Sequence, residues 1–244
     1  MDNAMYVVLS RQMTLQRELN IVANNLANAD TAGFKVESLQ VKTDPEAPAR
    51  MADGPKALKF VLDDQVTRDF GQGALQQTGG SFDLGIQGRG FFKVQTADGE
   101  RYTRDGRFTL SPEGKLTTQA GDPVMGDGGE IQVDPTQGPV TVGQDGTVSQ
   151  GTQKIGRVAV VDFPDLSALQ KTGDNLFQNV SNLQPTTASA AIVRQGMLES
   201  SNVNSILQVT RLIEISRSYE SMARTMDNVS SLSRSAVERL GKVA

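Results

Sequence analysis

The sequence predicts an α+β fold in which long N- and C-terminal helices pair as a coiled coil and flank a central, antiparallel, β-rich lobe. In the 244-residue chain, 21 of the 24 glycines and all nine prolines lie between positions 43 and 193. Because glycine and proline interrupt helices, their absence from both ends marks those ends as helical. Asp-Gly and Glu-Gly pairs recur in the middle of the chain, where they favour the tight turns of hairpins.

The sequence predicts that the chain is divided into four parts. Residues 1–42 form the N-terminal helix and its following motif, and residues 43–74 an extended, proline-containing connector. Residues 75–193 form the β-rich lobe, in which residues 172–191, rich in Asn, Gln, Ser and Thr, serve as a return connector. Residues 194–244 form the C-terminal coiled-coil helix.

Apolar residues at both ends recur in steps of three and four, which is the a/d register of a coiled coil. The N-terminal positions are Met5, Val8, Gln12, Leu15, Leu19, Val22 and Leu26. The C-terminal positions are Leu212, Ile215, Tyr219, Met222, Met226, Val229, Ser233, Ala236 and Leu240. Further apolar residues widen each face and favour more than one packing neighbour, namely Leu9, Met13, Ile21, Ile206, Val209 and Ile213.

Composition excludes several kinds of chemistry. The chain has no Cys, His or Trp, so thiolate nucleophiles, Cys/His zinc sites and a Ser-His-Asp triad are impossible. The glycines at 85, 88 and 90 precede a strand rather than a helix, which argues against a nucleotide-binding loop. We therefore expect no catalytic residue, no cofactor and no metal site.

Charge and hydropathy limit the partners. The formal charge is −4, and the Arg residues at 101, 104 and 107 alternate with acidic residues, so we expect no nucleic-acid partner. No apolar stretch approaches the roughly 20 residues that span a bilayer, and the N-terminus lacks the features of a secretory signal. We expect no direct membrane insertion.

Four segments together resemble the flagellar axial proteins, the family of rod and hook subunits. They are residues 23–35 (ANNLANADTAGFK), residues 73–79 with 82–92 (GALQQTG and FDLGIQGRGFF), residues 102–110 (YTRDGRFTL) and residues 198–204 (LESSNVN). They follow one another along nearly the whole chain. The length, the MDNAMYVVLSRQ start and the compact connector are more similar to the proximal-rod type than to the distal-rod type.

This resemblance implies a structural rod subunit that transmits motor torque, with the terminal helices in an inner tube. It also implies residence in the periplasmic part of the basal body, and export by the flagellar type III apparatus without a cleaved signal. The partners would be further copies of the chain and neighbouring inner- and distal-rod proteins. Two alternatives stay open: a distal-rod subunit, and a periplasmic binding or hydrolytic protein.

The residues expected at the assembly interface are the two apolar seams and the asparagine-rich segments beside them. Asn24, Asn25 and Asn28 also suit a helix stop, and Asn202 is a candidate N-cap of the last helix. The full expected set is Leu15, Leu19, Val22, Asn24, Asn25, Leu26, Asn28, Thr31, Gly33, Phe34, Asn202, Asn204, Leu212, Ile215, Tyr219, Met222, Met226 and Val229.

Overall fold

A computed structural model describes residues 2–43, 61–134, 136–181 and 183–241. Two α-helices occur in these ranges, α1 (Asp2–Ala27) and α2 (Ser205–Gly241), together with a short 3-10 helix at Leu166–Ala168. The strands are β1 (Glu37–Thr43), β2 (Val61–Arg68), β3 (Leu75–Gln77), β4 (Leu84–Gln87), β5 (Phe91–Thr96), β6 (Gly99–Thr103), β7 (Thr109–Leu110), β8 (Leu116–Thr117), β9 (Met125–Gly126), β10 (Gly129–Glu130), β11 (Val140–Val142), β12 (Thr147–Gln150), β13 (Gln153–Arg157), β14 (Val160–Asp162), β15 (Leu169–Gly173), β16 (Leu176–Asn179), β17 (Thr186–Thr187), β18 (Ile192–Gln195) and β19 (Met197–Glu199).

The chain forms two compact units. Unit 1 comprises Met1–Ala27, Glu37–Arg68 and Asn204–Ala244, and therefore contains both helices and the β1–β2 hairpin. Unit 2 comprises Asn28–Val36 and Asp69–Val203, and contains strands β3 to β19. Of the predicted connector at 43–74, residues 44–60 lie outside the described residues, whereas residues 61–68 form strand β2.

The predicted α+β fold with long terminal helices paired as a coiled coil is wrong. Helix makes up 27% of the structure and strand 37%, and the two α-helices of the described residues do not form a long coiled-coil pair. Their buried contact is a local cluster, in which Leu15, Val22 and Ile215 are buried and Leu19, Leu212, Tyr219 and Met222 pack around them. Among the described side chains, the seam residues Met5 and Val8 before Leu15, and Met226 and Val229 after Met222, are not part of this cluster.

The cluster is short because the repeat is imperfect. Gln12 occupies the seam position one turn before Leu15, and a polar side chain there gives no apolar burial to extend the contact. The off-seam apolar residues, such as Met13 and Ile213, lie on other faces of the helices and add nothing to the seam.

Unit 2 is organised around a six-stranded antiparallel sheet with the order β15-β16-β6-β5-β14-β17. A three-stranded sheet (β11-β12-β13) and four strand pairs (β18-β4, β19-β3, β7-β8 and β10-β9) complete it. The β-rich centre expected from the Asp-Gly turns is therefore present.

The central strand β5 separates two apolar clusters. Adjacent residues of a strand point to opposite faces of a sheet, so Phe91 and Phe92 enter different clusters. Phe92 joins the larger cluster, which is rich in Val, Ile and Leu, and packs edge-on against Phe108 at 5.1 Å between ring centroids. Phe91 joins the smaller, aromatic cluster with Tyr102 and Phe163.

The polar segment at 172–191 is not only a return connector. Strand β16 and the end of β15 lie within it, and Phe177 of β16 pairs with Tyr102 of β6 in the six-stranded sheet. Phe177 is the buried residue of this segment, and its other described residues are half-buried or exposed. A mostly polar composition therefore does not predict this strand, which tertiary pairing stabilises.

Candidate assembly interface

The apolar seam predicted for assembly is largely used inside unit 1. Leu15 is 2% exposed, and Val22 and Ile215 are equally closed to solvent. The seam positions Leu19, Leu26, Leu212, Tyr219, Met222, Met226 and Val229 are half-buried. In the described structure, the buried members hold α1 against α2, and the half-buried members keep some surface for a second contact.

A second apolar stripe on α1 faces solvent. Tyr6, Leu9 and Met13 are exposed, Met13 at 66%, and their spacing of i, i+3 and i+7 places them on one helix face. Met13 is two residues from Leu15, a rotation of about 200° in an α-helix, so the two side chains leave the helix on opposite sides. Sequence reasoning noted Leu9 and Met13 as widening the apolar face but did not assign them to assembly, and it missed Tyr6.

Helix α2 has a matching stripe near its start. Ile206, Val209 and Ile213 have the same i, i+3 and i+7 spacing and are exposed, Ile206 at 81%. The adjacent Leu207 is exposed too. Each stripe extends about 10 Å along its helix. Several exposed apolar side chains grouped on one helix face are a feature of protein–protein contacts.

A groove with a volume of about 470 Å³ lies beside the α1 stripe within unit 1. Leu9 and Met13 line it from α1, and Tyr219 lines it from α2. The two helices thus present a concave apolar surface to solvent.

The asparagine residues near the end of α1 have separate roles. Asn25 is 1% exposed. Its side-chain amide forms hydrogen bonds with the backbone N–H and carbonyl of Glu37 and with the side chain of Gln208. Asn24 is exposed on the same helix. Within the described ranges, Asp174 and Asn175 are the non-glycine residues with positive φ, so the left-handed helix stop expected of the asparagines does not form.

The last helix is capped by Asn204 rather than by Asn202. The Leu207 backbone N–H donates to Asn204 Oδ1 at 3.1 Å, and the Gln208 N–H donates to the Asn204 carbonyl at 3.0 Å. This is the geometry of an N-cap residue. Asn202 instead belongs to unit 2, where its side chain accepts from the Val36 N–H and donates to the carbonyls of Asp69 and Gly71.

Residues 32–36 form a segment of unit 2 that we call the strap. Phe34 is 2% exposed, and the Lys171 ammonium lies 4.3 Å from its ring centroid. Gly33 has a φ of +69° and donates its N–H to the Glu199 carbonyl at 2.7 Å. Just before the strap, Asn28 and Thr31 are half-buried and hydrogen-bonded to each other.

Three charged side chains are buried together beside the strap. Lys35 Nζ lies 2.5 Å from Glu199 Oε1, and Arg104 Nη1 lies 3.0 Å from Glu199 Oε2. The lysine and glutamate side chains are fully buried, and the arginine side chain is almost so. Glu199 Oε1 also accepts from the Gly73 N–H at 3.0 Å. One carboxylate therefore holds two cations, and the three charged residues come from three of the four segments that carry the family resemblance.

Burial sets the electrostatics of this charge cluster. Burial lowers the pKa of the Lys35 ammonium from its ordinary value, and the attraction of Glu199 opposes that shift. Burial lowers the pKa of the Arg104 guanidinium in the same way, again opposed by Glu199. Arg104 Nη2 donates to the Gly88 carbonyl at 2.7 Å, whereas its Nε is buried without a hydrogen-bond partner. Sequence reasoning missed the cluster because the lysine and the glutamate are 164 residues apart.

Neither α1 nor α2 combines the length and the apolar content that a membrane span needs. In the described ranges, no group of three or more acidic side chains is placed to hold a metal ion.

Comparison with known proteins identifies relatives of the whole chain. Three family models match: Flagella basal body rod protein at residues 5–35, Flagellar hook protein FlgE/F/G D1 domain at 85–150, and Flagellar basal body rod FlgEFG protein C-terminal at 194–239. The chain is 59% identical to the flagellar basal-body rod protein FlgF of Caulobacter vibrioides, over 100% of both chains. It is 34% identical to FlgF of Mesorhizobium japonicum over 99% of both chains. It is 32% identical to FlgG of Buchnera aphidicola, covering 87% of this chain and 90% of the relative.

Proposed function

The chain belongs to the family of flagellar basal-body rod proteins, as a structural subunit of the FlgF type, and we propose that it polymerises in the proximal rod through α1 and α2. As a rod subunit it assembles with other rod proteins. The observation that carries the proposal is the pair of matched apolar stripes, Tyr6/Leu9/Met13 on α1 and Ile206/Val209/Ile213 on α2.

The occupant of each stripe is a second copy of the chain. The two stripes have the same residue spacing and the same length of about 10 Å, and both consist of side chains that are exposed on unit 1. A contact between two different surfaces of identical subunits is heterologous, and repetition of such a contact builds an open helical filament. A rod is a filament of this kind, so a contact between the two stripes fits the growth of a rod better than it fits a closed dimer.

The finer parts of the proposal follow from the family. We place the subunit in the periplasmic rod, exported by the flagellar type III apparatus without a cleaved signal, with no catalytic activity. A structural family supports a role in transmitting torque rather than in chemistry. The assembly set proposed here adds Tyr6, Leu9, Met13, Ile206, Val209 and Ile213 to the half-buried seam residues and the exposed Asn24.

Disulfide cross-linking tests the contact directly, because the chain contains no cysteine. In basal bodies from cells that carry Met13→Cys together with Ile206→Cys, we expect oxidation to produce covalent multimers. Each single variant should remain monomeric, and so should Met13→Cys combined with Lys154→Cys, which lies on the exposed edge strand β13. A double variant that gives no more multimers than the single variants would exclude this contact.

Deletion of the gene tests the position in the rod. Electron microscopy of basal bodies from the deleted strain should show a rod truncated near its membrane-proximal end, in non-motile cells. Loss of the distal rod alone would assign the subunit to the distal position instead. Intact basal bodies would overturn the structural role.

A further inference from the structure

We propose that the strap at residues 32–36 is held closed by Glu199 and opens from unit 2 while the β-rich core stays folded. The strap and Glu199 both belong to unit 2, and opening of the strap does not depend on how the subunits polymerise.

The strap is held by polar contacts rather than by the apolar core. Phe34 is buried, yet it belongs to neither apolar cluster of unit 2, and its ring packs on the Lys171 ammonium. The backbone of the strap is hydrogen-bonded at several points: Gly33 donates to the Glu199 carbonyl, and Val36 accepts from the Asp69 N–H. Asn202 accepts from the Val36 N–H through its side chain and donates its own N–H to the Phe34 carbonyl, and the Asn175 side chain donates to the Ala32 carbonyl. These polar contacts lie outside the two apolar clusters that stabilise the core.

Glu199 contacts the strap with both its backbone and its side chain, and it is the acidic residue of the buried charge cluster. Its carbonyl accepts from the Gly33 N–H, and its carboxylate holds Lys35 and Arg104. Without the carboxylate charge, two buried cations would remain with no anion between them. Removal of one partner from a buried ion pair is strongly unfavourable, because the other charge is left uncompensated. Moving Lys35 out into solvent relieves that cost, and this movement opens the strap.

The core can remain intact during this movement. Glu199 ends strand β19, which pairs with β3 and, within the part of the chain that the structure describes, lies outside the six-stranded sheet. Opening of the strap therefore breaks no strand pair of that sheet. Local openings that expose part of a native structure, without global unfolding, are common where apolar contacts are few.

The test measures the reactivity of the Lys35 amine in the full-length protein. Brief treatment with an amine-acylating reagent, followed by mass spectrometry, compares Lys35 with the exposed Lys154 of the same molecule. In the native protein we expect Lys35 to react at least about a hundredfold more slowly than Lys154. Equal reactivity of the two lysines would show that the strap is already open.

Glu199→Gln is the decisive variant, and Glu130→Gln is its matched control. The control neutralises the exposed carboxylate that pairs with Lys115 at 2.6 Å. We expect Glu199→Gln to raise the acylation rate of Lys35 at least about tenfold, and the control to leave it unchanged. Amide hydrogen exchange at Phe92 and Val94 of β5 should be the same in all three proteins. Continued protection of Lys35 in Glu199→Gln overturns the proposal, and so does an equal loss of protection in β5.

A second measurement applies if Glu199→Gln does not fold. Native protein in increasing urea, below its unfolding transition, should expose Lys35 to acylation before the β5 amides begin to exchange. Simultaneous exposure of Lys35 and the β5 amides would show that the strap and the core are one cooperative unit, and would refute separate opening.

Discussion

Asn25 and Glu37 are joined by two hydrogen bonds that imitate the pairing of one strand with the next. The Glu37 N–H donates to Asn25 Oδ1 at 2.9 Å, and Asn25 Nδ2 donates to the Glu37 carbonyl at 2.7 Å. Asn25 lies near the end of α1 and Glu37 begins β1, so this side chain fixes the hairpin of unit 1 against its helix. The asparagine that the sequence predicts as an assembly residue therefore has an internal role.

Asn25→Ala should destabilise unit 1 by about 2–4 kcal/mol, because it leaves two backbone groups of Glu37 and the Gln208 side chain without their partner. Urea denaturation followed by circular dichroism measures the change. The control is Asn20→Ala on the exposed face of the same helix, which should lower the free energy of unfolding by less than about 0.5 kcal/mol. Equal effects of the two substitutions would contradict the internal role of Asn25.

Gly33→Ala should destabilise unit 2 much more than Gly79→Ala does. Both glycines have positive φ, at +69° and +75°, so alanine at either position costs roughly 1–2 kcal/mol in backbone strain. A Cβ on Gly33 would also lie 2.4 Å from the backbone of Arg104 and Asp105, whereas a Cβ on Gly79 meets nothing within 4 Å.

We expect the close approach at Gly33 to add about 1–3 kcal/mol to the strain. Denaturation midpoints of the two variants measure the difference in the free energy of unfolding. Variants of equal stability would show that the strap backbone moves away from Arg104 without cost.

Tyr102 provides a prediction about alkaline pH. Burial, followed by the nearby Glu100 carboxylate, raises the pKa of its phenol from 10.0 to about 12. The unfolded chain ionises first, so the neutral phenol stabilises the fold fully below pH 10, and this contribution is lost as the pH rises from 10 to 12. The native protein should therefore lose more stability in that interval than Tyr102→Phe does.

Absorbance at 295 nm follows the ionisation of the three tyrosines. A component with its midpoint near pH 12 should be present in the native protein and missing from Tyr102→Phe. Lys35 also affects stability at alkaline pH. Because burial lowers the pKa of its ammonium, its contribution to the free energy of unfolding rises with pH below 10.5, opposite to the contribution of Tyr102. Lys35 is present in both proteins, so the comparison with Tyr102→Phe isolates the effect of Tyr102. A native titration without the component near pH 12 would be evidence against burial of the phenol.

Local signals in the sequence predict the elements but not their long-range contacts. The absence of glycine and proline predicts both terminal helices, and the Asp-Gly pairs predict the β-rich middle. The extent of helix pairing is not predictable from the heptads, because the apolar cluster between α1 and α2 uses only part of each seam, from Leu15 to Val22 and from Leu212 to Met222. Lys35 and Glu199 of the charge cluster are 164 residues apart in the sequence, and local spacing cannot reveal a contact at that separation.

Substitutions at Leu15 and Met13 should have different effects, the first on folding stability and the second on assembly. Leu15→Ala removes a buried side chain from the contact between α1 and α2, and should cost about 2–4 kcal/mol of stability. Met13→Ala removes an exposed side chain, and should change stability by less than about 0.5 kcal/mol. If the α1 stripe binds a second copy, cells with Met13→Ala should nevertheless swim less well, and Met13→Asp should impair swimming more, because the aspartate places a charge in an apolar contact.

Soft-agar motility and purified basal bodies measure assembly, and urea denaturation of the same variants measures folding. Lys154→Ala, on the exposed strand β13, is the control that should change neither. Full motility of a folded Met13→Asp variant would remove the α1 stripe from the interface. In that case the half-buried seam residues of α2, Met226 and Val229, would become the next positions to substitute.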